Sequence, residues 1–221
     1  MKIGVQDVLY RIRPFFLLYL IVLSACLVIK LLCTREQIFF AVNGWNSPWA
    51  DYIEPYMTDL GDGLTAVTLS LAFLLFSYRK FLLLASSYLL TGFVAQVIKY
   101  IADAPRPSLY FKDEWGPVHT VKGVEILTYN SFPSGHTTSA FSAAVVLAYL
   151  VTKKGWGIPA LLMAILIGYS RMYLTEHFFE DVIGGSAIGV IVTVLWLTWL
   201  ENKQFIHSEK WRTGLIKTVF K

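Results

Sequence analysis

Apolar runs near residues 14–33, 60–78, 81–100, 136–152, 157–175 and 181–200 take up more than half of this chain. A helix of roughly 20 apolar residues crosses the hydrocarbon of a bilayer, and lipid leaves a spanning segment no water to satisfy its backbone, so each run predicts a helix. Hydrophobic residues make up 56% of the sequence, charged residues 15%, and the mean hydropathy is +0.56. A soluble globule does not have that balance. The expected fold is all-α: one polytopic domain over 1–221, built from six transmembrane helices.

Loop charges set the expected orientation, because cytoplasmic loops collect Lys and Arg. Lys2, Arg11, Arg13, Arg79, Lys80, Lys153, Lys154, Lys203, Lys210, Arg212, Lys217 and Lys221 fall on the side that carries both ends of the chain. The other side holds Lys30, Arg35, Lys112, Lys122 and three further cations against most of the acidic residues. Both termini are therefore expected in the cytoplasm. The net charge of +4 reflects this asymmetry and gives no reason to expect a nucleic-acid partner.

Segments 1–13 and 203–221 read as interfacial helices. Val5, Val8, Leu9 and Ile12 repeat at helical spacing beside basic residues, and Trp211, Leu215, Ile216, Val219 and Phe220 mix with Lys and Arg. Trp45, Trp49, Tyr52, Tyr56, Tyr110 and Trp115 suit the headgroup level of the outer side. Residues 102–132 form a long outer loop, a length usually kept for function. Cys26 and Cys33 lie on the first span at a spacing that no disulfide within one helix fits. Leu23-Ser24-Ala25-Cys26 has the look of a lipoprotein cleavage site. The chain stays apolar through Leu32, where a lipoprotein would turn polar, so the first span is read as intact.

Against this background three polar segments stand out, because ionisable groups flanked by hydrocarbon are costly and mark function. The first runs from Lys99 to Arg106-Pro107, with Pro105 and Pro107 stopping the third span. Its planar guanidinium and point-charge ammonium are the usual partners of phosphate oxygens. Two cations snorkelling at a helix end are the plain alternative. The second, Pro133-Ser134-Gly135-His136, opens the fourth span, where free N–H groups and the positive dipole end suit an anion. Gly135 permits close backbone approach, Ser134 adds a hydroxyl, and His136 stands ready to give a proton; a capped helix with an incidental histidine is the alternative.

In the third segment Ser170 and Arg171 precede His177 and Asp181, which lie four apart on one helical face. A carboxylate that holds one imidazole nitrogen aims the other and stabilises the cation formed as it attacks. His177 is accordingly the candidate nucleophile, with a structural His–Asp pair as the alternative. Glu176 and Glu180, beside it, read as a solvated rim. Gly184, Gly185 and Gly189 read as a helix-packing face, and Thr58-Asp59-Leu60-Gly61-Asp62-Gly63 as a turn and helix cap. No Cys/His cluster or His-Glu-x-x-His helix offers a metal site.

Taken in order, Lys-x6-Arg-Pro, Pro-Ser-Gly-His and Ser-Arg-x5-His-x3-Asp resemble the three signature motifs of the type 2 phosphatidic acid phosphatase superfamily, with every signature position filled across residues 99–181. The resemblance implies a phosphatase without metal or other cofactor. In it His177 would carry the phosphoryl group, Asp181 orient it and His136 act as general acid, while Lys99, Arg106, Ser134, Gly135 and Arg171 bind the phosphoryl oxygens. It further implies a membrane lipid phosphate as substrate, with undecaprenyl diphosphate, lipid A and phosphatidylglycerol phosphate as candidates. The expected setting is a bacterial inner membrane with the motifs facing the periplasm. A lipid phosphotransferase using the same histidine, a lipid-headgroup binder or transporter, and a haloperoxidase of related motifs are the other readings. Oligomeric state is left open.

Overall fold

The structure is a computed structural model that describes residues 2–151 and 153–219; Met1, Thr152, Phe220 and Lys221 fall outside them. In chain order its α-helices are α1 Val5–Arg11, α2 Arg13–Leu32, α3 Arg35–Gly44, α4 Pro48–Asp59, α5 Gly63–Phe76, α6 Tyr78–Ala102, α7 Pro107–Tyr110, α8 Gly135–Leu150, α9 Gly157–Tyr173, α10 Phe179–Glu201, α11 Glu209–Arg212 and α12 Leu215–Val219. No strand occurs among the described residues. The protein is all-helical, as its apolar runs require.

Local chemistry fixes the starts of these helices. Thr34 and Gln37 form a reciprocal capping box on α3, and Ser47 caps α4 ahead of Pro48. Asp62 accepts from the Thr65 amide at 2.9 Å to start α5, Ser77 caps α6, and Ser134 caps α8. Asp103 ends α6 in the left-handed region at φ 39°, and Pro105 follows. The turn between α4 and α5 is the cap expected from its residues, and those two helices meet at a bend of 54°.

α8 occupies the centre, packed between α6, α9 and α10. Its Ala144, Val145 and Val146 are buried in a core shared with Leu83, Leu84, Leu161, Val190 and Leu197. The backbones approach closely. A Cβ on Gly185 would lie 2.6 Å from the Ser134 carbonyl, and one on Gly189 2.6 Å from the Thr138 carbonyl. The glycine face of α10 is thus a packing face, where small residues let helices touch. Buried hydroxyls tie the same helices, with Thr193 donating to Ser142 at 2.8 Å and Trp196 donating to Ser86 at 2.8 Å.

Outward, large apolar side chains such as Leu17, Ile21, Leu31, Leu89 and Phe93 are exposed in numbers that water does not tolerate. Lipid is the solvent that suits them. α2, α6 and α10 are long and apolar enough to cross a membrane, and the bent pair α4–α5 makes a fourth span if counted as one. α5, α8 and α9, at 14, 16 and 17 residues, are shorter than the runs that predicted them. The Asp62 cap starts α5 inside its apolar run, whereas α8 starts just ahead of its run and ends short of it at Leu150.

α1 departs from a purely interfacial helix. Val8 and Ile12 are fully buried in the core, so its apolar face is taken up by the bundle. Asn202 clamps the chain just before it, accepting from the Ile3 amide at 2.9 Å and donating to the Ile3 carbonyl at 2.8 Å.

Candidate active site

Three chain reversals bring the polar segments together at one end of the bundle. The first is the loop over residues 102–132, whose two ends are stitched by Arg106 N–H to the Thr128 carbonyl at 2.8 Å and Ser131 N–H to the Ala104 carbonyl at 2.9 Å. Lys99, in the last turn of α6, donates to the Asn130 carbonyl at 2.5 Å. Arg106 is buried; its Nε donates to the Tyr129 carbonyl at 2.9 Å, and its Nη1 to the Glu176 carbonyl at 3.1 Å and to the Glu176 carboxylate.

The second reversal enters α8. Ser134 is fully buried, its Oγ accepting from the Thr137 hydroxyl at 2.9 Å, and its N–H donates to the Asp181 carbonyl at 3.0 Å. A Cβ built on Gly135 would meet Lys99 Cε at 3.9 Å, so the first segment lies against the helix start. His136 is half-buried. Its backbone abuts Gly61, where an added Cβ would come within 3.1 Å of the His136 carbonyl and 2.5 Å of Ile167. Only glycine fits that contact between the α4–α5 turn and α8.

The third reversal follows α9, where Thr175 takes a left-handed φ of 58°. The amides of Glu176 and His177 both return to the Arg171 carbonyl, at 3.0 and 3.2 Å. This tight turn lays Glu176 back over Arg171. Arg171 Nη1 donates to Thr58 Oγ1 at 2.6 Å and Nη2 to Glu176 Oε2 at 3.3 Å, while its buried Nε has no partner among the described residues.

His177 is 2% exposed, with Nδ1 3.4 Å from Asp181 Oδ2. The same oxygen accepts from the Phe178 amide at 2.8 Å and from Ser131 Oγ at 2.5 Å. Asp181 therefore caps α10 and ties the second and third segments together. Burial holds the His177 ring well below its ordinary pKa, and the cations of Arg106, Arg171 and Lys99 push it the same way. Both effects favour the neutral ring.

Glu176 is the correction to the sequence reading. It is 3% exposed, not a solvated rim, and its carboxylate is paired with both Arg106 and Arg171. The physical reason is the cost of two buried guanidinium ions, which need an anion beside them. Glu180 stays partly exposed and pairs with Lys30 and Arg35 at 3.4 and 2.5 Å. Above the site, Phe178 meets Tyr110, Phe111 and Phe39, and the cavity against the His177 ring is about 10 Å³. That space is no larger than a single water needs.

All eight candidate residues thus lie at the same end of the bundle: hydrogen bonds hold Lys99, Arg106, Ser134, Arg171, His177 and Asp181, and close packing places Gly135 and His136. Sequence reasoning missed three positioning groups. Ser131 has no chemistry of its own until Asp181 is beside it. Thr58 lies 113 residues from the arginine it holds, and no local signal links them. Glu176 was noticed, but its burial is a product of the turn at Thr175.

The profile of the PAP2 superfamily matches residues 80–205, more than half the chain. An undecaprenyl-diphosphatase of Bacillus subtilis is 30% identical over 118 residues, covering 53% of this chain and 56% of that protein. A lipid A 4'-phosphatase of Porphyromonas gingivalis is 29% identical over 168 residues, covering 72% of this chain and 69% of the relative. The crystal structure of a transmembrane PAP2 type phosphatidylglycerolphosphate phosphatase from Bacillus subtilis superposes with a TM-score of 0.61 at 28% identity. That match covers 89% of this chain and 99% of the other.

The buried ring makes stability depend on pH in a defined direction. An unfolded imidazole protonates near 6.5, whereas the folded one does so only well below it. Below that value the unfolded chain binds the extra proton, so the contribution is present above pH 6.5 and is lost as pH falls, by at most about 1.4 kcal/mol per pH unit. Denaturation in detergent at pH 7.5 and 5.0 should show a larger loss for wild type than for His177→Asn. Equal losses would mean the ring is not held neutral.

Proposed function

The chain belongs to the PAP2 superfamily, and from that premise we propose that it hydrolyses the phosphate of a membrane lipid phosphate or diphosphate through a phosphohistidine at His177. The observation that carries this reading is the placement of one buried carboxylate, Glu176, between the guanidinium groups of Arg106 and Arg171, next to a buried neutral imidazole. Two cations that hold a carboxylate there can hold phosphoryl oxygens in its place.

In the first step the free imidazole nitrogen of His177 attacks phosphorus. A P–N bond forms, the P–O bond to the lipid breaks, and His136 gives its proton to the departing oxygen. Asp181, held by Ser131 and the Phe178 amide, stabilises the imidazolium. In the second step His136 takes a proton from water, whose oxygen attacks phosphorus; the P–N bond breaks and inorganic phosphate leaves. Lys99, Arg106, Arg171, Ser134 and the Gly135 backbone stabilise the equatorial oxygens, the charge work that phosphoryl transfer chiefly demands. No step in this scheme uses a metal or another cofactor.

The lipid remains in the bilayer while its phosphate reaches the motifs, which favours an envelope lipid such as undecaprenyl diphosphate or lipid A, with phosphatidylglycerol phosphate as a third candidate. Purified protein given each lipid in detergent should release phosphate in the presence of EDTA. His177→Ala should lower that rate at least about 10⁴-fold, whereas Ser134→Ala should cost about 10²-fold. A labelled lipid product in place of free phosphate would assign a phosphotransferase, and unchanged lipid with retained binding a headgroup carrier.

Glu176 then has a defined part: its carboxylate keeps the anion seat until the phosphoryl group displaces it. Glu176→Gln keeps the shape and removes the competing charge. Tungstate, a tetrahedral oxyanion, should bind this variant about tenfold more tightly, a gain of about 1.4 kcal/mol. Weaker binding would make Glu176 a support for the arginines and not a competitor.

We further propose a single domain over 1–221 with six spans, both termini cytoplasmic and the outer loop 102–132 over the site on the periplasmic face of a bacterial inner membrane. The Lys and Arg asymmetry supports it. Single cysteines at Lys112 and Lys210, introduced after Cys26 and Cys33 are replaced by Ser, should be labelled by an impermeant maleimide in intact cells only at position 112. The reverse pattern would invert the topology.

A further inference from the structure

At the far end of α6, α8 and α10 from the motifs lies a cavity of about 490 Å³ that the lipid phosphatase reading does not use. Its wall includes Arg11, Arg79, Lys80 and Arg212 against one carboxylate, Glu201. Twenty helical residues separate Asp181 from Glu201 along α10, a distance of about 30 Å. One headgroup cannot bridge the two places.

The cavity is built, not left over. The chain after α10 folds back and is pinned by fully buried Ile206, by the Tyr78 amide donating to the Thr213 carbonyl at 2.9 Å, and by Ser77 Oγ donating to the Trp211 carbonyl at 3.3 Å. Gly214 makes the return possible, because a Cβ there would lie 2.4 Å from the Phe76 backbone. These contacts bring Arg212 to the start of α6, where Arg79 and Lys80 stand.

The cations are unevenly satisfied. Arg79 Nη2 donates to Glu201, which is 3% exposed, yet Arg79 Nε is buried with no partner among the described residues. Arg11 Nε donates to the Tyr149 carbonyl at 2.7 Å and its guanidinium lies over the Tyr149 ring at 4.4 Å. The side chains of Lys80 and Arg212 make no hydrogen bond or ion pair with any described residue. Four fixed positive charges around one negative leave a site that attracts an anion, and its volume falls in the range of ligand pockets. Phe76 forms part of the wall and is 65% exposed on the apolar flank, an exit suited to an acyl chain.

We infer that this cavity is a second phosphate site, which holds the headgroup of an anionic phospholipid in the leaflet opposite the motifs. Basic pockets between helices at a membrane surface bind such headgroups. The inference does not depend on what the motif site catalyses.

The test compares wild type with Lys80→Gln/Arg212→Gln, two side chains whose loss breaks no bond of the fold and which lie outside the proposed catalytic machinery. Binding is read by native mass spectrometry in detergent, with dioleoylphosphatidylglycerol, dioleoylphosphatidylcholine and inorganic phosphate as probes. Wild type should bind phosphatidylglycerol at least tenfold more tightly than the double variant, and phosphatidylcholine should bind both alike. The motif site is identical in the two proteins, so it cancels from the difference. Equal phosphatidylglycerol affinity overturns the proposal. A difference seen with inorganic phosphate but not with the lipid would make this a soluble-anion site and also overturn the lipid assignment. Phosphate release by the double variant at the wild-type rate separates this outcome from any failure of the motif site.

Discussion

The pairing of two buried guanidinium groups with one carboxylate organises the motif end of this protein. Arg106 and Arg171 come from elements 65 residues apart, and neither could be withdrawn from water alone. Glu176 compensates both. Removing one member of such a buried group typically costs about 3–5 kcal/mol, so the loop over 102–132, the end of α9 and the turn into α10 are bound into one unit. A neutral His177 is possible because that unit also excludes water.

The same arrangement links packing to chemistry. Gly185 and Gly61 are small because Ser134 and His136 must sit against α10 and the α4–α5 turn. Asp181 serves twice, as a cap for α10 and as the partner of His177, and Ser131 fixes the oxygen that does both. A change at Ser131 would shift the Asp181 carboxylate and, through it, the His177 ring. The aromatic cluster of Phe39, Phe111 and Phe178 lies beside His177 and helps to keep its ring from water.

The opposite end of the bundle follows a different logic. There the cations outnumber their partners, and α1, the start of α6 and the returned C-terminal segment bring them to the wall of one cavity. Buried charge is compensated from within at the motifs, whereas the second site is left to be compensated by an anion from outside.

Much of this was legible from residue order. Apolar runs dictated helices, because lipid offers no other way to satisfy a backbone, and the residue types of the three motifs announced phosphate chemistry before any geometry was known. Serine, threonine and aspartate at helix starts act over three or four residues, so the caps at Thr34, Asp62 and Ser134 were within reach of local reasoning. The burial of Glu176, the hold of Thr58 on Arg171 and the return of Arg212 to α6 were not. Each depends on contacts between segments distant in the chain, where solvent exposure and charge compensation are set only once the helices have packed. The sequence by itself determined that the chain is helical, membrane-embedded and equipped for phosphate; the tertiary structure decided which charges neutralise one another and which remain free for a ligand.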